Sequence, residues 1–195
     1  MAVTPLSGNS SDHHWSSDMK RLILSLALLV LGFTMSACNG YNTPSQPSSA
    51  PPSKNTFTAV LLPANEVPAI VGPEAAGAGT ATITLNFTKD QYGYVTGATF
   101  DFSVTVTGFP NDTSITDAHI HGGAAGVNGG ILVNLGLAAG DVTLPTGAGS
   151  FSRTGITVTV DQANAILANP GNFYFNIHTP ANSGGVARGQ LAIAQ

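Results

Sequence analysis

"YVTGATFDFSVTV", residues 94–106, decides how the rest of this 195-residue chain is read. Phe100, Phe102, Val104 and Val106 stand at every second position, with Asp101, Ser103 and Thr105 between them. A period of two sends side chains alternately to opposite faces of an extended chain, so one face is apolar and the other polar. An amphipathic helix would need a period near ~3.6 instead. "TATITLNF" (80–87) repeats the alternation, and "TFTAVLL" (56–62) reads as a first strand. "KDQYG" (89–93) and "GFPND" (108–112) are turn sequences. Further strands are expected over 116–122, 130–136, 149–160, 172–179 and 185–194. One short helix is expected after 160, with Asp161 as N-cap, "QANAILAN" as body and Pro170–Gly171 as the stop. Short strands punctuated by turns predict an all-β fold over residues 56–195. The expected architecture is an antiparallel β-sandwich with Greek-key-like connections and one short helix.

Composition narrows the function classes. Charged residues make up 8 % of the chain, against roughly a quarter in typical soluble proteins. Net charge is −4 with only six Lys and Arg. No basic patch is available to neutralise phosphates, which excludes nucleic acid as a partner. The single cysteine, Cys38, rules out an internal disulfide framework.

Residues 1–37 read as a leader. "MKRLILSLALLVLGFTMSAC" (19–38) has a basic start at Lys20 and Arg21, an apolar run from Leu22 to Phe33, and small residues Ser36 and Ala37 before Cys38. That order is a secretory signal, and the apolar run falls short of the ~20 residues that span a bilayer. "MSAC" resembles the bacterial lipobox, whose cysteine becomes lipid-modified, although Met35 stands where Leu dominates. The polar, acidic stretch before Lys20 does not fit a signal, so translation is expected to start at Met19. Residues 38–55, dominated by Pro, Ser and Asn, have little to bury and read as a disordered tether. The expected location is extracytoplasmic, in the cell envelope on the periplasmic side or at the cell surface. The anchor there is the membrane, reached through lipidated Cys38.

Without the leader, which contains His13 and His14, the histidines are His119, His121 and His178. All three fall in expected strands beside Gly-rich turns. His119 and His121 share a face because they are two apart. In "FYFNIHT", Phe173, Phe175 and Ile177 form the apolar face, and Tyr174, Asn176 and His178 the polar one. If the two strands are neighbours, three imidazoles converge, with Asn134 and Arg188 as further polar residues in nearby strands. Three readings stand side by side. The imidazoles hold a zinc or copper ion with an open fourth position. They cap Gly-rich loops by hydrogen-bonding backbone groups. Or they join Arg188 in binding an anionic ligand.

Signals for an enzyme are thin, and none is expected. There is no Gly-x-Ser-x-Gly, no cysteine nucleophile in the folded part, and no particular serine beside Asp117 and the His pair. Glu66 and Glu74, the only glutamates, sit in one loop, "NEVPAIVGPEAAGAG" (65–79), which reads as a turn or edge contact rather than a paired-carboxylate site. "GGAAGVNGG" (122–130) lacks the Lys and Ser/Thr of a phosphate loop, so its glycines are expected to permit positive φ in a tight connection.

Four stretches, in order, resemble the CHRD domain, named for chordin and found also in bacterial secreted proteins. They are "FTAVLLPANEVPAI" (57–70), "GAGTATITL" (77–85), "TDAHIHGGAAGVNGGILVNL" (116–135) and "NFYFNIHTPANSGGVARGQL" (172–191). The resemblance covers residues 57–193 and marks Asn65, Glu66, His119, His121, His178 and Arg188 as motif positions. The chain departs from the family pattern at Gly123, where Pro is usual, and at Val186, where Glu is usual. If that Glu pairs with an imidazole or with the arginine in relatives, the partner is missing here. The resemblance implies a non-catalytic binding module with an envelope or extracellular protein as partner. The alternative is a mononuclear copper or zinc protein using the three histidines. A His-x-His strand in a sandwich is also similar to copper/zinc superoxide dismutase at the level of fold alone. Three histidines are too few for its two-metal arrangement.

Overall fold

The computed structural model describes residues 55–195. The leader, Met19, Cys38 and the tether through residue 54 lie outside the described residues. Among the described residues no helix is long and apolar enough to cross a membrane.

The strands are β1 (Thr56–Leu61), β2 (Ala78–Lys89), β3 (Val95–Thr107), β4 (Thr113–Ile115), β5 (Asp117–Gly122) and β6 (Ile131–Asn134). They continue with β7 (Val142–Leu144), β8 (Gly149–Val158), β9 (Phe173–His178), β10 (Ala187–Gln190) and β11 (Ala192–Ile193), and the helix α1 (Val160–Ala168) lies between β8 and β9. One sheet runs β11-β1-β2-β3-β8, the second β10-β9-β5-β6, and β4 pairs with β7 in a small ribbon. Every pairing is antiparallel. The fold is therefore the all-β antiparallel sandwich that the alternation implies.

The alternating residues of β3 do what their period dictates. Phe100, Phe102, Val104 and Val106 are all buried, and Phe102 stacks on Phe175 of β9 with ring centroids 5.9 Å apart. That contact joins the inner faces of the two sheets. Offset aromatic packing of this kind contributes about 0.5–1.5 kcal/mol beyond area burial.

The helix is capped two residues before its expected cap. Thr159 is the N-cap: its side chain accepts from Gln162 N, and Gln162 Oε1 accepts from Thr159 N, a reciprocal capping box. Asp161 lies inside the first turn, where a negative charge suits the helix N-terminus. Pro170–Asn172 forms a 3₁₀ turn that ends the helical path.

The segment read as one strand over 185–194 is two. Ala187–Gln190 pairs with β9, while Ala192 and Ile193 pair with β1 in the other sheet. Where the chain changes sheets, Leu62 and Arg188 exchange both backbone hydrogen bonds, at 3.1 and 3.4 Å, so the end of β1 is bonded to β10. A Cβ on Gly189 would run into the Val60 carbonyl oxygen, so only glycine allows that approach.

Candidate functional site

β5 and β9 are paired directly, with Asp117 opposite His178, His119 opposite Asn176 and His121 opposite Tyr174. Ala118, Ile120, Phe175 and Ile177 belong to the hydrophobic core. Alternation then gives the opposite face to Asp117, His119 and His121 of β5 and to Tyr174, Asn176 and His178 of β9. This polar face is not open to water. Residues 174–178 are all buried, as are His119 and His121.

Three loops hold the covering groups. Arg188 of β10 donates through Nε to the Asn65 carbonyl (2.7 Å) and through Nη1 to Asn128 Oδ1 (3.0 Å), tying the loop after β1 to the loop between β5 and β6. Asn65 returns a hydrogen bond from Nδ2 to the Arg188 carbonyl. Glu74 Oε2 accepts from Thr179 Oγ1 (2.9 Å) and from Asn182 Nδ2, fixing the turn after β9. Glu66 and Glu74 are both buried but serve different partners, since Glu66 Oε2 lies 3.4 Å from Arg188 Nε. The 65–79 loop is thus a clasp with two separate anchors. Arg188 takes its acidic neighbour from Glu66, while Val186 is buried in the hydrophobic core. The departure at Val186 leaves Arg188 with a carboxylate beside it.

The three imidazoles meet. One ring nitrogen from each of His119, His121 and His178 lies within 4.8 Å of the others. His119 Nδ1 is 2.9 Å from His178 Nε2. His121 Nδ1 is 2.9 Å from the Gly129 carbonyl, and His178 Nδ1 is 2.9 Å from the Ser183 carbonyl. A carbonyl only accepts, so Nδ1 carries the proton in both rings and Nε2 carries a lone pair. His121 Nε2 is buried with no hydrogen-bond partner among the described residues. Neutral His119 has one proton and two electron-rich neighbours: His178 Nε2 at one nitrogen and Asp117 Oδ1, 3.1 Å away, at the other. The Asp117 contact lacks hydrogen-bond alignment, and His119 Nε2 is left without a partner. The cluster therefore holds more acceptors than donors, in a place where unpaired polar atoms are costly.

Protonation does not correct this. Burial holds the His119 pKa below its ordinary value, and the other two histidines push the same way, against the pull of Asp117. Burial also lowers His178, against its bond to the Ser183 carbonyl and the charge of Asp117. At neutral pH these are neutral rings, the form that ligates metals. Glu66 is raised from its ordinary value by burial, an effect countered by Arg188 and then by the Asn176 amide.

Tyr174 lies on β9 between His121 and Arg188. Its ring is parallel to His121 within 2° at 4.9 Å, and the Arg188 guanidinium carbon is 4.6 Å from its centroid. Asn134, opposite His119 on β6, is exposed and spends its side-chain oxygen on Gly136 N. Ser183 meets His178 through its backbone and not its hydroxyl. The glycines of the 122–130 loop divide their roles. Gly126 alone has positive φ (78°), whereas a Cβ on Gly129 would run into the Gly122 carbonyl oxygen. Gly123 donates its N–H to the Asn172 carbonyl at 2.7 Å, a bond that proline at this position cannot make.

Reading the sequence missed Asp117 and Asn176 as members of the cluster, although their parity with the histidines was visible. The two carbonyls that set the tautomers, from Gly129 and Ser183, carry no side-chain signal at all. Comparison with curated proteins and with solved structures finds no match to the chain. A family model described as CHRD domain matches residues 57–191. That span contains both sheets except β11, all three histidines and the Glu66–Arg188 pair, and the chain belongs to the CHRD domain family.

Proposed function

We propose that this chain is a non-catalytic extracytoplasmic binding module, held at a membrane by lipidated Cys38, and that its folded domain binds one zinc or copper ion. The observation that carries the metal reading is the convergence of three imidazole nitrogens within 4.8 Å, with two Nδ1 protons committed to backbone carbonyls. Backbone or carboxylate partners on the far nitrogen are what orient ligating histidines and fix their tautomer. The same arrangement argues against loop capping as the whole purpose of the histidines. Capping uses Nδ1 of His121 and His178, yet leaves the Nε2 side of the cluster with unpaired acceptors. The signal and tether over residues 19–55 support the anchor and the location. A domain on such a stalk is presented to envelope or extracellular protein partners.

Elemental analysis tests the metal reading. The full chain, purified without a tag, loaded with Zn²⁺ or Cu²⁺ and desalted, is expected to retain one ion. The His119→Ala/His121→Ala double variant is expected to retain none. Absence of stoichiometric metal in the unaltered protein ends the reading. Incorporation of labelled fatty acid, lost in Cys38→Ser, tests the anchor independently.

A further inference from the structure

Resting on that metal reading, we infer that the Asn176 side-chain oxygen is the fourth donor of the site, and that buried Glu66 fixes the amide in the orientation this requires. Asn176 sits on β9 two residues before His178 and directly opposite His119, and it is 1 % exposed. Its Oδ1 lies 3.1 Å from His178 Nε2. That nitrogen carries a lone pair, because the His178 proton is on Nδ1 facing the Ser183 carbonyl. An amide oxygen and an imidazole lone pair, both acceptors, thus face each other in a buried space. The single His119 N–H offers at most one proton to this corner.

Turning the amide over would put its NH₂ toward His178 and cure the clash, but the other side of the amide forbids it. Gly185 passes there with φ of 130°, and a Cβ on it would lie 2.7 Å from Asn176 Nδ2 and 2.8 Å from Glu66 Oε1. The Asn176 side chain also draws the Glu66 pKa down against the effect of burial, so the amide nitrogen lies on the side of a carboxylate, which can only accept when ionised. A turned amide would set two oxygens against each other at that point. Glu66 is itself held by Arg188 at 3.4 Å, and its Oε1 is buried with no hydrogen-bond partner among the described residues. The protein has spent a buried ion pair and a glycine on presenting an oxygen to the histidine cluster. A cation bound between the three rings and this oxygen satisfies every facing lone pair.

The resulting donor set is three neutral imidazole nitrogens and one neutral oxygen. Such a set suits Zn²⁺ or Cu²⁺ better than Cu⁺, which prefers sulfur donors. It also fills the fourth position that a catalytic zinc site keeps for water, so the ion is held rather than offered to substrate.

Calorimetric titration of the full chain with Zn²⁺, and electron paramagnetic resonance of its Cu²⁺ form, decide the matter. Asn176→Leu is expected to weaken Zn²⁺ binding by about tenfold or more and to change the Cu²⁺ spectrum. Asn176→Asp keeps an oxygen at the position, so it is expected to retain one Zn²⁺ per chain. Its Cu²⁺ spectrum is expected to differ from that of the unaltered protein, because the donor becomes anionic. Should Asn176→Leu fail to fold, the Asn176→Asp spectrum decides alone. If the unaltered chain binds one ion and these variants bind it with the same affinity and spectrum, Asn176 is not a ligand and the metal reading survives. If the unaltered chain binds no ion, both fall together.

Discussion

His119 and His178 are buried in their neutral form, which has a sign that can be worked out. A base whose pKa is lower folded than unfolded stabilises the fold fully above its unfolded value. It loses that contribution as pH falls through that value toward the folded one. The metal-free domain is therefore expected to lose thermal stability as pH falls below the ordinary histidine value of 6.5. Glu66 runs the other way: its raised pKa favours the fold below the ordinary 4.5 and costs stability as pH rises through the folded value. Melting curves of chelator-treated protein from pH 8 to 5 check this, and His178→Gln should flatten the profile. A profile that His178→Gln leaves unchanged would show that this ring ionises freely in the fold. At this scale the histidine set could be read from parity and spacing alone. The second half of the site could not, because it is made of backbone carbonyls and of a carboxylate whose position depends on a distant arginine.

Elements were legible where they were long enough to show a period. β2 and β3 declare themselves by alternation, while β4 and β7, three residues each, contain too few side chains to show one. The division between β10 and β11 left no trace for a different reason. Exchanging one hydrogen-bonding neighbour for another changes backbone partners without changing which side chains are apolar. The helix start was misplaced because Thr159 and Asp161 are both good caps by type, and only the Gln162 side chain tells them apart. Thr159→Ala is expected to destabilise the domain by about 1 kcal/mol. Asp161→Ala, which loses only a charge near the helix end, should cost roughly 0.3–1 kcal/mol. Denaturant melts of the two variants check the assignment, and a larger loss at Asp161 would contradict it.

For the molecule as a whole, an ion bound only by the folded state adds to stability by mass action. At a free Zn²⁺ concentration 100 times the dissociation constant the gain is about 2.7 kcal/mol. The melting temperature is therefore expected to rise with Zn²⁺ and fall back with chelator. No shift in a protein that retains one ion would mean that the unfolded chain binds it as well. The pairing of Leu62 with Arg188 gives this coupling a direction in time. The clasp between Asn65 and Arg188 spans 123 residues, and β10 lies beside β9, the strand that carries His178. A chain still lacking its last strands has two of the histidines, yet it has neither the third ring nor the arginine that seats Glu66. It can collapse around β2 and β3 but offers no closed set of donors. On the proposed metal reading, uptake of an ion would wait for β9 and β10, and a bound ion would report that these strands are in place.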